Sequence, residues 1–193
     1  MKKFLLIVSS IGIAFFLFIW LSQSHFSVAS AIPWDIKVLQ SEDTPDGKAI
    51  LFEDNQDHSF GVALVDRKFG FLYQYYIGTN GYHLDPGKPF QASGLTDDKH
   101  FIVGIKTAED SNIKYITLGN HLDEVAPSET YDLTLKEVRN HEEEYYITEV
   151  KDHYAFFVID EYTDSTWTIR GFDGNGNLIA DKLFGAEERF VNR

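Results

Sequence analysis

An uncharged apolar run from Phe4 to Leu21, preceded by Lys2 and Lys3, constrains this chain more than any other feature. It consists of Phe, Leu, Ile, Val, Ala and Trp, broken only by Ser9, Ser10 and Gly12. As a helix the run would extend about 27 Å, close to a hydrocarbon core of about 30 Å. A helix also satisfies its own backbone hydrogen bonds, as lipid requires. Trp20 lies near the far end, where an amphipathic ring suits the membrane interface, and the two lysines hold the near end in the cytoplasm. The expected topology is a cytoplasmic stub at 1–3, a transmembrane or signal-anchor helix at 4–21, a small polar tether at 22–32 and an extracytoplasmic β-rich domain at 33–193. The cell membrane is then the first partner, through residues 4–21.

A cleaved secretory signal is the competing reading. Val28-Ala29-Ser30-Ala31 offers small-residue cleavage patterns, so the chain would be secreted after cutting near Ala31. Against it stand the length of the apolar run and the distance from Leu21 to the cleavage site. Without cysteine there is no lipid-modified cysteine anchor, disulfide framework, thiol nucleophile or thiolate metal site.

About 160 residues follow the tether, enough for one domain that buries about 70% of its unfolded surface without a staple. All 30 acidic residues lie beyond the membrane run. Removing Lys2 and Lys3 from the formal −13 leaves about −15 on the exported part. That field repels phosphate backbones, which argues against a nucleic-acid partner. The acids are scattered, as on a solvated surface.

The pattern beyond residue 48 is strand, turn, strand. Short apolar or alternating segments occur at Ala49–Glu53, Phe60–Asp66, Phe71–Ile77, His100–Lys106, Ile113–Leu118, Tyr145–Val150, Tyr154–Ile159, Thr166–Phe172 and Asn177–Leu183. Phe60–Asp66 is apolar on both faces, as a central strand would be. Gln40–Lys48 reads as a loop. Thr134-Leu135-Lys136-Glu137 fits a capping box and predicts one short helix near 135–143. The expected fold is mainly β (α+β), an antiparallel meander of about nine strands with one helix. Phe60–Ile77, Phe101–Leu118 and Phe156–Phe172 read as three similar hairpin units.

Catalytic patterns fail one by one. Asp173-Gly174-Asn175-Gly176-Asn177 has calcium-loop spacing at its start, but Leu178 and Phe184 stand where the loop needs glycine and a bidentate glutamate. A hairpin turn explains it better. His141-Glu142-Glu143-Glu144-Tyr145 lacks the second histidine of a zinc-protease helix. No nucleophile elbow, phosphate loop or dinucleotide fingerprint occurs, and no cofactor is implied. Paired carboxylates of a glycoside hydrolase stay open, since they can converge only in the fold.

The remaining candidate is the long segment Gly78–Asp98, in which Tyr82, His83, Asp85 and Phe90 combine aromatic and polar groups. Such a set could line a sugar or peptide site, or could pin a loop to a sheet.

The basic start with its apolar run, the missing cysteine, Phe60-Gly-Val-Ala-Leu-Val-Asp66 and Trp167-Thr-Ile-Arg-Gly-Phe-Asp173 together resemble small exported or membrane-tethered proteins of Gram-positive bacteria. The resemblance implies no activity and transfers no functional residue. Two functions are expected: a tethered accessory module that binds an envelope component or membrane protein, or a cell-surface hydrolase.

Overall fold

The computed structural model describes residues 8–13, 17, 22–122, 131–160 and 162–191. The predicted membrane span lies largely outside them. Among the described residues no helix is long and apolar enough to cross a membrane. Residues 8–13 and 17 are helical, and Val8, Ile11, Ile13 and Leu17 are all more than half exposed.

Among the described residues, twelve strands form three antiparallel sheets. The first sheet is a plain meander of β1 (Ile36–Thr44), β2 (Gly47–Asp54), β3 (Phe60–Lys68) and β4 (Leu72–Gly78). The second holds β5 (Phe90–Thr96), β6 (Phe101–Thr107) and β9 (Tyr154–Ile159). The third has the order β12-β11-β10-β7-β8. Its members are β7 (Tyr115–Gly119), β8 (Tyr145–Glu149), β10 (Ile169–Phe172), β11 (Leu178–Lys182) and β12 (Arg189–Phe190). Two short α-helices, α1 (Val28–Ala31) and α2 (Leu135–Arg139), complete the regular elements used below.

Side-chain alternation explains why the sheets stack in layers. On β6, Phe101, Val103 and Ile105 face a core shared with Ile116, Leu118 and Ile169 of the five-stranded sheet. Ile102 points the other way, into a core shared with Leu51, Phe60 and Val62 of the four-stranded sheet. The three-stranded sheet is therefore the middle layer, apolar on both faces. Close approach to it is possible at Gly104, where an added Cβ would sit 2.6 Å from Leu51 Cδ1. The outer face of the four-stranded sheet packs Ile50, Phe52, Ala63 and Val65 against α1 and Trp34. The far face of the five-stranded sheet packs Phe172 and Leu178 against Leu135 and Val138 of α2.

Several expectations hold in detail. Thr134 caps Glu137 and Glu137 reaches back, which fixes the start of α2. The helix is shorter than predicted and passes into a 3-10 turn at Glu142–Glu144. β3 is internal and buried on both faces. The 173–177 segment is the β10–β11 hairpin turn, with Gly176 at φ +86°. Burial works against the Asp173 carboxyl, but hydrogen bonds from Asn177 and the backbone amides of 175 and 177 hold it below the ordinary range.

Others need correction. Among the described residues there are three strands more than the nine expected: β1, β5 and β12. β1 was hidden because its charged second half, Ser41–Thr44, is tolerated on a sheet edge. β5 carries Ala, Ser and Gly where neighbouring layers come close: an added Cβ on Gly94 would sit 2.8 Å from Trp167. Nor is the chain one meander. β6 and β7 belong to different sheets, as do β9 and β10, so only Phe60–Ile77 of the three similar units is a hairpin.

The stretch expected as a loose tether is folded. His25 and Tyr73 exchange two backbone hydrogen bonds, of 2.8 and 2.7 Å, along the edge of β4. Ala31 and Ile32 are 6% and 3% exposed within the outer core.

Candidate functional site

Three hairpin ends from two layers meet around one cleft of about 430 Å³. The β1–β2 turn brings Pro45 and Asp46, the β3–β4 end brings Asp66, Arg67, Lys68 and Gly70, and the β5–β6 turn brings Asp97 to His100. Tyr76 completes the wall. It is the extra residue of a bulge in β4, because Leu64 and Val65 pair with Ile77 and Tyr75. A bulge breaks the two-residue period and re-aims one side chain. Phe71, Tyr73, Tyr75 and Ile77 therefore do not share one uninterrupted face, and Tyr76 points to the cleft.

The walls are hydrophilic and of mixed sign. Lys99 bridges to Asp46, and this hydrogen bond holds the Asp46 carboxyl below its ordinary range. Lys68 pairs with Asp66 at 2.8 Å. Asp97 organises the third turn through its Oδ1, which accepts the backbone amides of Lys99 and His100 at 2.8 and 2.7 Å. His100 is the exception among these polar groups. It is only 9% exposed, and its buried Nδ1 makes no hydrogen bond. Asp97 Oδ1 is 3.4 Å away, beyond good hydrogen-bond geometry though within ion-pair distance.

A second polar cluster lies on the far face of the five-stranded sheet. Arg170 is fully buried. Its Nε donates to Tyr131 Oη at 2.9 Å, Nη1 to the Gly119 carbonyl at 2.7 Å and Nη2 to Asn120 Oδ1 at 2.7 Å. Tyr131 in turn donates to Asp181 at 3.0 Å, and Asp181 accepts Arg189 Nε at 2.7 Å. Burial pushes the Tyr131 phenol well above its ordinary value. This chain of polar groups ties β10, β11 and β12 to the end of β7 around the fully buried Arg170, so we assign it a structural role.

At the rim of that cluster, His121 and His141 stack with ring centres 4.1 Å apart, and Tyr145 Oη lies 2.6 Å from His121 Nδ1. Burial, followed by the neighbouring His141 and Arg170, pushes His121 below its ordinary value of 6.5. The unfolded chain then binds the proton more tightly than the folded one. His121 thus contributes stability fully above about pH 6.5, and the contribution is lost as pH falls. Urea midpoints at pH 7.5 and 5.0 should therefore diverge more in the native chain than in His121→Gln. Parallel pH curves would rule this out.

The four residues singled out in Gly78–Asp98 separate. Tyr82 forms a bridge with Phe60, ring centres 6.2 Å apart. His83 faces Asp57 at 3.6 Å on the surface. Asp85 lines a small depression of about 180 Å³ with Pro86, Gly87 and Lys88. Phe90 opens β5 and is fully buried in the core. The segment is shorter than expected because β5 begins inside it. Among the described residues no group of three or more His, Cys, Asp or Glu is placed to hold a metal ion.

Sequence reasoning missed Asp46, Lys68, Asp97 and His100. Their only local signal is that each belongs to, or lies beside, a hairpin turn, and every turn in the chain carries similar residues. No protein-family model, no curated protein and no solved structure matches the chain.

Proposed function

We propose that this chain is a membrane-anchored extracytoplasmic binding domain, held by residues 4–21 with its N-terminus inside, and that its ligand enters the cleft between the three hairpin ends. The observation that carries the binding site is the convergence of Asp46, Lys68, Asp97 and Lys99 from three hairpin ends around one cleft. The anchor is supported by the apolar, exposed helical residues near the N-terminus and by the folding of 22–32 onto the sheet. Cleavage near Ala31 would remove part of a packed edge.

The mixed charges of Asp46, Asp66, Lys68 and Lys99, with Tyr76 on the wall, suit a small hydrophilic envelope component and not an apolar one. The hydrolase alternative needs a carboxyl held protonated as general acid. Asp46 moves the opposite way, held ionised by Lys99.

Titration of ¹⁵N-labelled residues 22–193 with N-acetylglucosamine oligomers and with dipeptides should shift amides of Asp46, Tyr76, Asp97, Lys99 and His100 together for one of these classes. Lys99→Ala should weaken that binding about tenfold, the equivalent of one lost hydrogen bond of about 1.4 kcal/mol. Shifts absent from the cleft, or confined to another face, would overturn the assignment.

A further inference from the structure

Beside the cleft, the surface changes character. Phe26, Phe69 and Phe71 are 62%, 71% and 49% exposed. Phe26 stacks on Phe71 with ring centres 6.5 Å apart. Phe69 projects from the tip of the β3–β4 hairpin, in a left-handed turn with φ +52° followed by Gly70 at +80°. Arg67 and Lys68 precede it in sequence, each paired to an aspartate. Three large exposed aromatics in one place are uncommon on a domain surface and mark contact with something apolar.

The chain's own path says what that is. Leu21, the last residue of the apolar run, is four residues from His25, and His25 is bonded to Tyr73 of β4. Four residues span at most about 14 Å. Phe71 lies two positions from Tyr73 along the same chain segment, roughly 7 Å at strand rise. The head-group layer outside the hydrocarbon is itself about 5–8 Å deep. A helix that leaves the bilayer at Leu21 therefore keeps Phe26 and the β3–β4 tip within about 21 Å of the edge of the hydrocarbon. Apolar Phe rings beside Arg and Lys are the composition of segments that lie in the membrane interface.

We propose that Phe26, Phe69 and Phe71 seat the domain on the outer surface of the bilayer that residues 4–21 cross. The inference rests on the anchored reading above. The β3–β4 hairpin also supplies Arg67, Lys68 and Gly70 to the cleft, so seating its tip in lipid holds the cleft beside the head groups. The strongly acidic remainder of the domain is repelled by anionic lipid and turns outward, which favours one orientation.

The absence of cysteine makes the test direct. The full chain carrying Phe69→Cys, or Tyr146→Cys on the five-stranded sheet, is spin-labelled and reconstituted in phosphatidylcholine vesicles. Accessibility to oxygen and to a water-soluble nickel chelate is then compared. The label at 69 should favour oxygen severalfold over the label at 146. Serine at both Phe26 and Phe71 should reduce that difference without lowering the melting temperature, since both rings are exposed. Equal, aqueous accessibility at 69 and 146 in protein that resists alkaline carbonate extraction would overturn the seating while leaving the anchor intact. Release of the full chain by carbonate would overturn the anchor and the seating together.

Discussion

Arg170→Ala should lower the stability of residues 22–193 by about 3–5 kcal/mol, the loss typical when one partner leaves a buried charged network. The fully buried guanidinium satisfies Tyr131 Oη, the Gly119 carbonyl and Asn120 Oδ1 at once. Alanine leaves those acceptors unpaired and opens a cavity the size of the largest fully buried side chain in the domain. For a domain of this size the melting temperature should fall by roughly 6–20 °C. Tyr131→Phe should cost less, about 1–3 kcal/mol, because it removes one hydroxyl between Arg170 and Asp181. The double variant should cost less than the sum, since both changes act on one network. A fall below about 1 kcal/mol for Arg170→Ala would show that water replaces the guanidinium and that the site is less closed than its geometry implies.

Cutting the chain at Ala31 should have the second largest effect. Residues 32–193 should be less stable than residues 22–193 by on the order of 3 kcal/mol. Two backbone hydrogen bonds between His25 and Tyr73 contribute about 1 kcal/mol each, and the methyl groups of Val28 and Ala31 supply the remainder. The same cut exposes Ile50, Phe52 and Trp34 on the outer face of the four-stranded sheet. Paired urea denaturations measure the difference. Equal midpoints would mean that 22–31 only rests on the sheet, and would restore the cleaved, secreted form as a competitor.

Both predictions concern features that sequence patterns disclose poorly. Arg170 sits in Thr166–Phe172, whose alternation places Trp167 and Ile169 on one face and leaves Arg170 on the face normally given to solvent. The period locates Arg170 correctly on the opposite face from Ile169. It does not reveal that α2, Tyr131 and Tyr145 cover that face. The 22–32 stretch is small and polar, as a tether would be, and its burial comes from a two-residue bridge and one turn of helix. Such short elements produce no periodicity to read. β1 and β5 were missed for the related reason that an edge strand tolerates charge and a closely packed strand tolerates glycine.

Features that depend on near neighbours are legible along the chain. Thr134 and Glu137 cap a helix across three residues, Asp173 to Asn177 close a turn across five, and the alternation of Phe101, Val103 and Ile105 against Ile102 makes β6 a strand with two apolar faces. The run from Phe4 to Leu21 likewise needs no partner to be recognised as apolar. Tertiary structure alone decided which turns meet. Asp46, Lys68 and His100 come from three hairpins and two layers, and nothing within any one hairpin distinguishes it from the others. Layer stacking is driven by non-directional burial of whole faces. The ends of the strands are carried along with those faces, and the polar groups they bear become neighbours only once the layers have closed.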